Sequence, residues 1–325
     1  MYSRRVSSLS VVAAAGLLFS GCATVNEPKE PIGGHYTCGQ LDIEVSANDD
    51  SRLLGVDYLD KRLLLKPSES ASGALYVAPG DDSTRFWSKG ERATLTVRGQ
   101  TYPECLSPGA IEMPFEARGN EPFWHAVVEA DQLALTRPYE QNKTLTLPVE
   151  LQTANRHGRK FLAETDGMRV TLTVARQLCQ DTMSGAQFPN QAQLTVNGEV
   201  FQGCGGDPER LLRGAEWVVE DLAGGGIIDS SRITIAFLEG SRVAGRGSCN
   251  HYAGRYQLSG EGGLTFSQVA TTRMACAPSL MAQEDRFLNL MNQISRGRIG
   301  PHRELVLSTP EGVSMTAFQS DHESP

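Results

Sequence analysis

The sequence predicts a mainly β protein built as three small β-rich domains in tandem, the last carrying one short helix. Three observations lead there. Stretches in which apolar and polar residues strictly alternate recur along the chain, the signature of half-buried antiparallel strands. Glycine, 33 of 325 residues, joins Asp and Pro in breaking these stretches at short intervals. Six of the seven cysteines fall as three successive pairs, each inside its own alternating stretch.

Residues 1–21 read as a bacterial secretion signal. Arg4 and Arg5 form the positive start, residues 11–19 the apolar core, and Ser20-Gly21 stand directly before Cys22. The apolar stretch is too short for a permanent bilayer span. Cys22 at this junction resembles the lipoprotein cleavage site, where the thiol is lipidated and begins the mature chain. Phe19 departs from that pattern, in which Leu is usual; an ordinary cleaved signal with an incidental Cys is the alternative. Residues 22–33, with Glu27-Pro28-Lys29-Glu30-Pro31, form a polar, Pro-rich lipidated tether.

Three domains follow, at 34–108, 109–208 and 209–318, bounded by Ser107-Pro108-Gly109 and Gly205-Gly206-Asp207-Pro208. Residues 319–325 read as a solvated tail. Strand patterns lie at 40–45 and 93–97 in the first domain, 169–174 in the second and 232–237 in the third. One helix is expected at 280–291, where Leu280, Phe287, Leu288 and Met291 recur near helical spacing.

Export places the chain in an oxidising compartment without ATP or a nicotinamide pool. Cys38, Cys105, Cys179, Cys204, Cys249 and Cys276 remain as an even set beside Cys22. Pairing in order, Cys38–Cys105, Cys179–Cys204 and Cys249–Cys276, is the simplest connectivity among the many possible. Each closure would stabilise by roughly 3–4 kcal/mol. No pair has CxxC spacing and the six His are scattered, so neither a metal nor another cofactor is expected. The formal charge is −8, and losing Arg4 and Arg5 makes it −10. This disfavours nucleic acid and suits a cationic protein partner. No phosphate loop, HExxH or GxSxG occurs, and no enzyme activity is expected.

Tyr36-Thr37-Cys38 opens the first domain and Tyr102-Pro103-Glu104-Cys105 closes it. Between them lie Ser72-Gly73-Ala74-Leu75-Tyr76 and Phe86-Trp87-Ser88-Lys89-Gly90. This combination resembles the membrane-bound inhibitors of c-type lysozyme, small antiparallel β-barrels closed by one disulfide. The resemblance implies a barrel here, a c-type lysozyme as partner, and Ser72, Lys89 and Tyr76 as lysozyme-binding residues. It also implies that inhibition resides in 34–108, with the isolated domain inhibiting about as well as the mature chain.

The implied chemistry is reasonable. The target cleaves its glycan with two carboxyl groups, one protonated in an apolar pocket and one ionised. A hydroxyl and an ammonium on glycine-marked turns suit such a cleft. Lys89 is one of only six Lys against 24 Arg, and a compact ammonium fits a narrow cleft better than a planar guanidinium. Trp87 and Tyr76 serve equally well as core or loop-supporting aromatics, and Ser72 as a plain turn residue.

The second domain carries Gly119-Asn120-Glu121-Pro122-Phe123-Trp124 and Cys179-Gln180-Asp181-Thr182-Met183-Ser184-Gly185. These resemble elements of an uncharacterised family of bacterial envelope lipoproteins. Glu121 and Asp181 read as caps or turn acceptors before paired carboxylates, and Phe123-Trp124 as core. Ser184-Gly185-Ala186-Gln187-Phe188 echoes the Ser72 motif. In the third, Trp217, Gly247-Ser248-Cys249-Asn250-His251-Tyr252 and Met274-Ala275-Cys276 resemble the META domain of heat-shock-associated lipoproteins. A hydrolase reading of Cys249 and His251 fails if Cys249 is a disulfide half. The functional expectation is a lipid-anchored envelope protein, at the outer membrane, that inhibits c-type lysozyme by inserting loop residues into its cleft. The alternative is a non-inhibitory structural or stress-related module whose last two domains bind cell-wall or antibiotic-like ligands.

Overall fold

A computed structural model describes residues 33–48, 53–137, 143–165 and 167–320. The leader, Cys22 and nearly all of the tether lie outside the described residues, as do 321–325. Among the described residues the fold is mainly β, in three nine-stranded sheets and a two-stranded ribbon (Cys179–Gln180 with Gln187–Phe188), with one α-helix.

The first sheet contains β1 (Gly34–Cys38), β2 (Leu41–Asn48), β3 (Leu53–Tyr58), β4 (Lys61–Ser68), β5 (Ala74–Ala78), β6 (Asp81–Lys89), β7 (Arg92–Val97), β8 (Gln100–Thr101) and β9 (Cys105–Leu106). Neighbours pair antiparallel from β1 through β7, and β9 bridges β7 to β1. Eight strands therefore close into a barrel, with β8 beside the ring. Alternation explains the burial: Leu41, Ile43 and Val45 point inward while Asp42 and Glu44 face solvent. Cys38 and Cys105 stand opposite one another in the β1–β9 register and form a disulfide, so the covalent link sits where the barrel closes.

The second sheet also wraps. Thr144–Pro148 pairs with Gln132–Thr136, and after Val149 the chain continues as Glu150–Asn155 to pair with Gly158–Thr165. One bent strand thus serves both ends of the sheet. Val170, Leu172 and Val174 of Met168–Ala175 face the core. Trp124 is fully buried and its indole N–H donates to the Gln202 carbonyl at 3.3 Å. Phe123, expected in the core with it, is 44% exposed; adjacent strand residues must face opposite sides, and the core side belongs to Trp124. Cys179 and Cys204 form the second disulfide.

The third sheet packs α1 (Pro278–Met291) over Trp217, Ile235 and Tyr252. The helix begins two residues before the expected span, with Pro278 in its first turn. Its buried face is Gln283, Glu284, Phe287, Leu290 and Met291, so two polar residues replace part of the expected apolar stripe. Both are satisfied. Glu284 accepts from the Cys249 and Asn250 backbone N–H groups (3.0 and 2.6 Å) and from Asn250 Nδ2 (2.8 Å). The Gln283 side chain accepts from Ile228 N–H and donates to the Ser231 and Ser248 hydroxyls. Asn250 Oδ1 in turn accepts from Thr272 and Met274. Cys249 is disulfide-bonded to Cys276, which leaves no thiol for hydrolysis. The last strand, Ser314–Gln319, runs one residue into the expected tail because Gln319 pairs with Trp217 and its amide donates to Gln40 Oε1.

Tandem order understates how the sheets are joined. Arg210, in the short 3-10 turn Pro208–Leu211, donates to the carbonyls of Glu104 (2.9 Å) and Thr37 (3.3 Å) in the first barrel and faces Glu112. Gly39 of the β1–β2 turn lies so close to the segment after Arg210 that a Cβ would stand 2.3 Å from the Arg213 carbonyl. Gln187, in the two-stranded ribbon, exchanges two hydrogen bonds with the Ile299 backbone, joining the second domain to the third sheet. Arg159 of the second sheet reaches Glu91 of the first.

Candidate functional site

Ser72 and Lys89, seventeen positions apart by their numbering, come together at one rim of the first barrel. β5 and β6 pair with Ala74 opposite Ser88 and Leu75 opposite Trp87. This register brings the loop before β5, residues 69–73, alongside the end of β6. The β6–β7 hairpin turns through Gly90 and Glu91, with Lys89 opposite Arg92. Ser72 and Lys89 are both exposed.

Gly73 makes the approach possible. Its φ is +66°, a conformation that glycine adopts freely. A Cβ there would stand 2.3 Å from the Ser88 carbonyl oxygen, 3.0 Å from Trp87 Nε1 and 3.3 Å from Lys89 Cβ. The loop backbone thus lies directly on the hairpin backbone. Trp87 completes the join. Trp87 is 40% exposed, and its indole N–H donates to the Ser72 carbonyl at 2.9 Å. The Ser70 hydroxyl donates to the same oxygen at 2.6 Å.

The two side chains are accordingly held by backbone contacts, leaving the Ser72 hydroxyl and the Lys89 ammonium at the rim. Tyr76 is half-buried and packs against the barrel core opposite Phe86; burial pushes its phenol up. Sequence reasoning found the two motifs but not the stitch between them, although a glycine directly before a strand was the available signal.

The second sheet's motifs also converge. Asp181 accepts from Met183 N–H, from Ser184 N–H and hydroxyl, and from Asn120 Nδ2. Desolvation pushes its carboxyl up, but the bonds from Ser184, Met183 and Asn120 outweigh this and hold it below its ordinary value. Asp181 is thus a turn acceptor. Gln187 is committed to Ile299 and Ala186 and Phe188 are buried, so the echo of the Ser72 motif is occupied by the join to the third sheet. Among the described residues no group of three or more His, Cys, Asp or Glu is arranged to hold a metal ion.

Comparison with known proteins finds relatives for the first and last parts of the chain. Residues 36–103 match the family model described as membrane-bound lysozyme-inhibitor of c-type lysozyme, and residues 210–322 match the META domain. A curated relative, the membrane-bound lysozyme inhibitor of C-type lysozyme from Escherichia coli (strain K12), is 34% identical over 85 residues, 25% of this chain and 75% of the relative. Among solved structures, an NMR structure of a protein from Burkholderia xenovorans is 24% identical with a TM-score of 0.30, covering 35% of this chain and 86% of its own. A second NMR structure is 26% identical with a TM-score of 0.31, covering 37% and 99%. Through its first barrel the chain belongs to the family of membrane-bound inhibitors of c-type lysozyme, and it carries a META domain as its last unit.

Proposed function

We propose that this protein inhibits a c-type lysozyme, with Ser72 and Lys89 entering the catalytic cleft from the two loops that Gly73 holds together. The observation that carries the reading is the 2.3 Å gap between the Gly73 Cβ position and the Ser88 carbonyl. It fixes a hydroxyl and an ammonium at one exposed rim without using either side chain to do so. A cleft with one neutral and one ionised carboxyl group offers acceptors to both. The acidic chain adds long-range attraction to a cationic enzyme.

The location in this reading is the bacterial envelope, with Cys22 lipidated and the chain held at the outer membrane. The leader and the name of the Escherichia coli relative support it.

The test is inhibition of a c-type lysozyme by the purified mature chain. Lys89→Ala should weaken inhibition by about ten-fold or more, since removing one partner of a desolvated charge pair leaves the other unpaired. Ser72→Ala should cost about 1 kcal/mol, one neutral hydrogen bond. A double variant that inhibits like wild type would show that these residues are not the site. A wild-type protein inactive against c-type lysozymes would overturn the function.

A further inference from the structure

The turn that carries Lys89 is held by a residue of a different sheet. Glu91, one of the two turn residues, accepts from Arg159 Nη2 at 2.6 Å. Arg159 lies near the start of Gly158–Thr165 in the second sheet, and its side chain is only 4% exposed while that of Glu91 is 59% exposed. The guanidinium is itself oriented: Nη1 donates to the Asn155 carbonyl at 3.0 Å and to the Gly158 carbonyl at 3.1 Å. The turn containing those acceptors is shaped by His157 N–H donating to Asn155 Oδ1. Backbone packing reinforces the contact. A Cβ on Gly109 would stand 1.8 Å from the Asn155 carbonyl, and Ser107 N–H donates to the Glu91 carbonyl at 2.9 Å.

Two consequences follow for Lys89. The hairpin is clamped on both sides, by the Gly73 loop of its own barrel and by the Asn155–Arg159 corner of the second sheet. Charge is also partitioned. Glu91 is two residues from Lys89 on a tight turn, and an unengaged carboxylate there would compete for the ammonium. A buried, pre-oriented arginine fork holds that carboxylate, so the ammonium is kept for the target. We propose that the second sheet is a working part of the inhibitory site, with Arg159 as a positioning residue that acts through Glu91 on Lys89. This rests on the lysozyme-inhibitor reading and extends it beyond residues 34–108. It also makes the isolated barrel, which lacks Arg159, a weaker inhibitor than the whole chain, against the expectation from sequence.

The test uses the full mature chain and inhibition constants against a c-type lysozyme for wild type, Arg159→Met, Lys89→Ala and the double variant. Arg159→Met is expected to weaken inhibition by about ten-fold when Lys89 is present and to have little further effect in the Lys89→Ala background, because residues acting through one another do not add. Arg159→Lys should recover part of the loss, reaching Glu91 without the fork that spans the carbonyls. Amide hydrogen exchange at 89–92 should quicken in Arg159→Met. If that variant fails to fold, Glu91→Gln weakens the clamp from its exposed side without freeing a competing carboxylate, and should weaken inhibition less than Arg159→Met but with the same dependence on Lys89. Wild-type-like inhibition by Arg159→Met and Glu91→Gln, or equal losses with and without Lys89, would overturn the inference and leave the function intact. If wild type does not inhibit, or Lys89→Ala changes nothing, the underlying reading fails and the inference falls with it.

Discussion

Gly73→Ala separates the backbone stitch from everything else in the first barrel. The added Cβ would stand 2.3 Å from the Ser88 carbonyl oxygen, whereas a carbon–oxygen contact normally sits near 3.3–3.6 Å. Since the Cβ position is fixed by the backbone and the oxygen belongs to it, no rotamer change relieves the overlap. The loop must retreat by about 1 Å, which costs roughly the 1 kcal/mol of the Trp87–Ser72 hydrogen bond. A left-handed alanine adds about 1–2 kcal/mol. The expected destabilisation is therefore about 2–3 kcal/mol, within the margin of an ordinary domain, so the variant should remain folded. Gly80→Ala is the control. Its φ is +80° but nothing lies within 4 Å of the Cβ position, and it stands in the turn at the far end of β5 and β6. It should lose only the left-handed term and keep full inhibition. Urea unfolding and lysozyme titration of both proteins give the comparison, with Gly73→Ala expected to inhibit at least ten-fold more weakly. If the two variants match in stability and in inhibition, the stitch does not position the site.

The other predictions concern the joins and the second sheet. Arg210→Met removes a 9% exposed side chain from two carbonyls and from Glu112; a loss of about 3 kcal/mol is expected, with denaturant unfolding splitting into more than one transition as the first barrel uncouples. Asp181 has a folded value below its ordinary 3.8, so its contribution is fully present above that pH and fades as pH falls through the lower folded value. Asp181→Asn should flatten this acid limb in unfolding experiments, and an unchanged limb would assign it to other carboxylates. Cys22→Ala should release the protein from membranes into the soluble periplasmic fraction, and mass spectrometry of the wild type should find an acylated Cys22 at the N-terminus; an unmodified N-terminus elsewhere excludes the anchor.

Much of the fold is legible in the sequence because strand alternation reports directly which side faces a core. Residues 40–45 and 169–174 illustrate this, and the structure pairs the six cysteines in chain order. What escapes is polar burial. Gln283 and Glu284 look like solvent-facing helix residues because their hydrogen-bond partners lie up to 55 positions away. Arg159 follows Gly158 at the start of an alternating strand and reads as a solvated charge, since its partner Glu91 is 68 positions earlier. Phe123 shows the converse error, an apolar residue next to a core tryptophan whose face is set by the strand's pleat rather than its own character. The Ser72 and Lys89 motifs were visible singly, but their contact depends on the β5–β6 register and a glycine's conformation.

Glu284 has a consequence for how the chain matures. It holds the Cys249 and Asn250 amides from a helix that follows Cys276 in the sequence. Both cysteines are therefore synthesised before the residue that shapes their loop. Glu284 holds the Cys249 side of the loop, and Asn250 Oδ1 accepts from Met274 N–H two residues before Cys276. The pairing of Cys249 with Cys276 is thus matched by hydrogen bonds that involve neither sulfur. The loop is specified twice, once covalently and once by a carboxylate supplied from the helix that follows it.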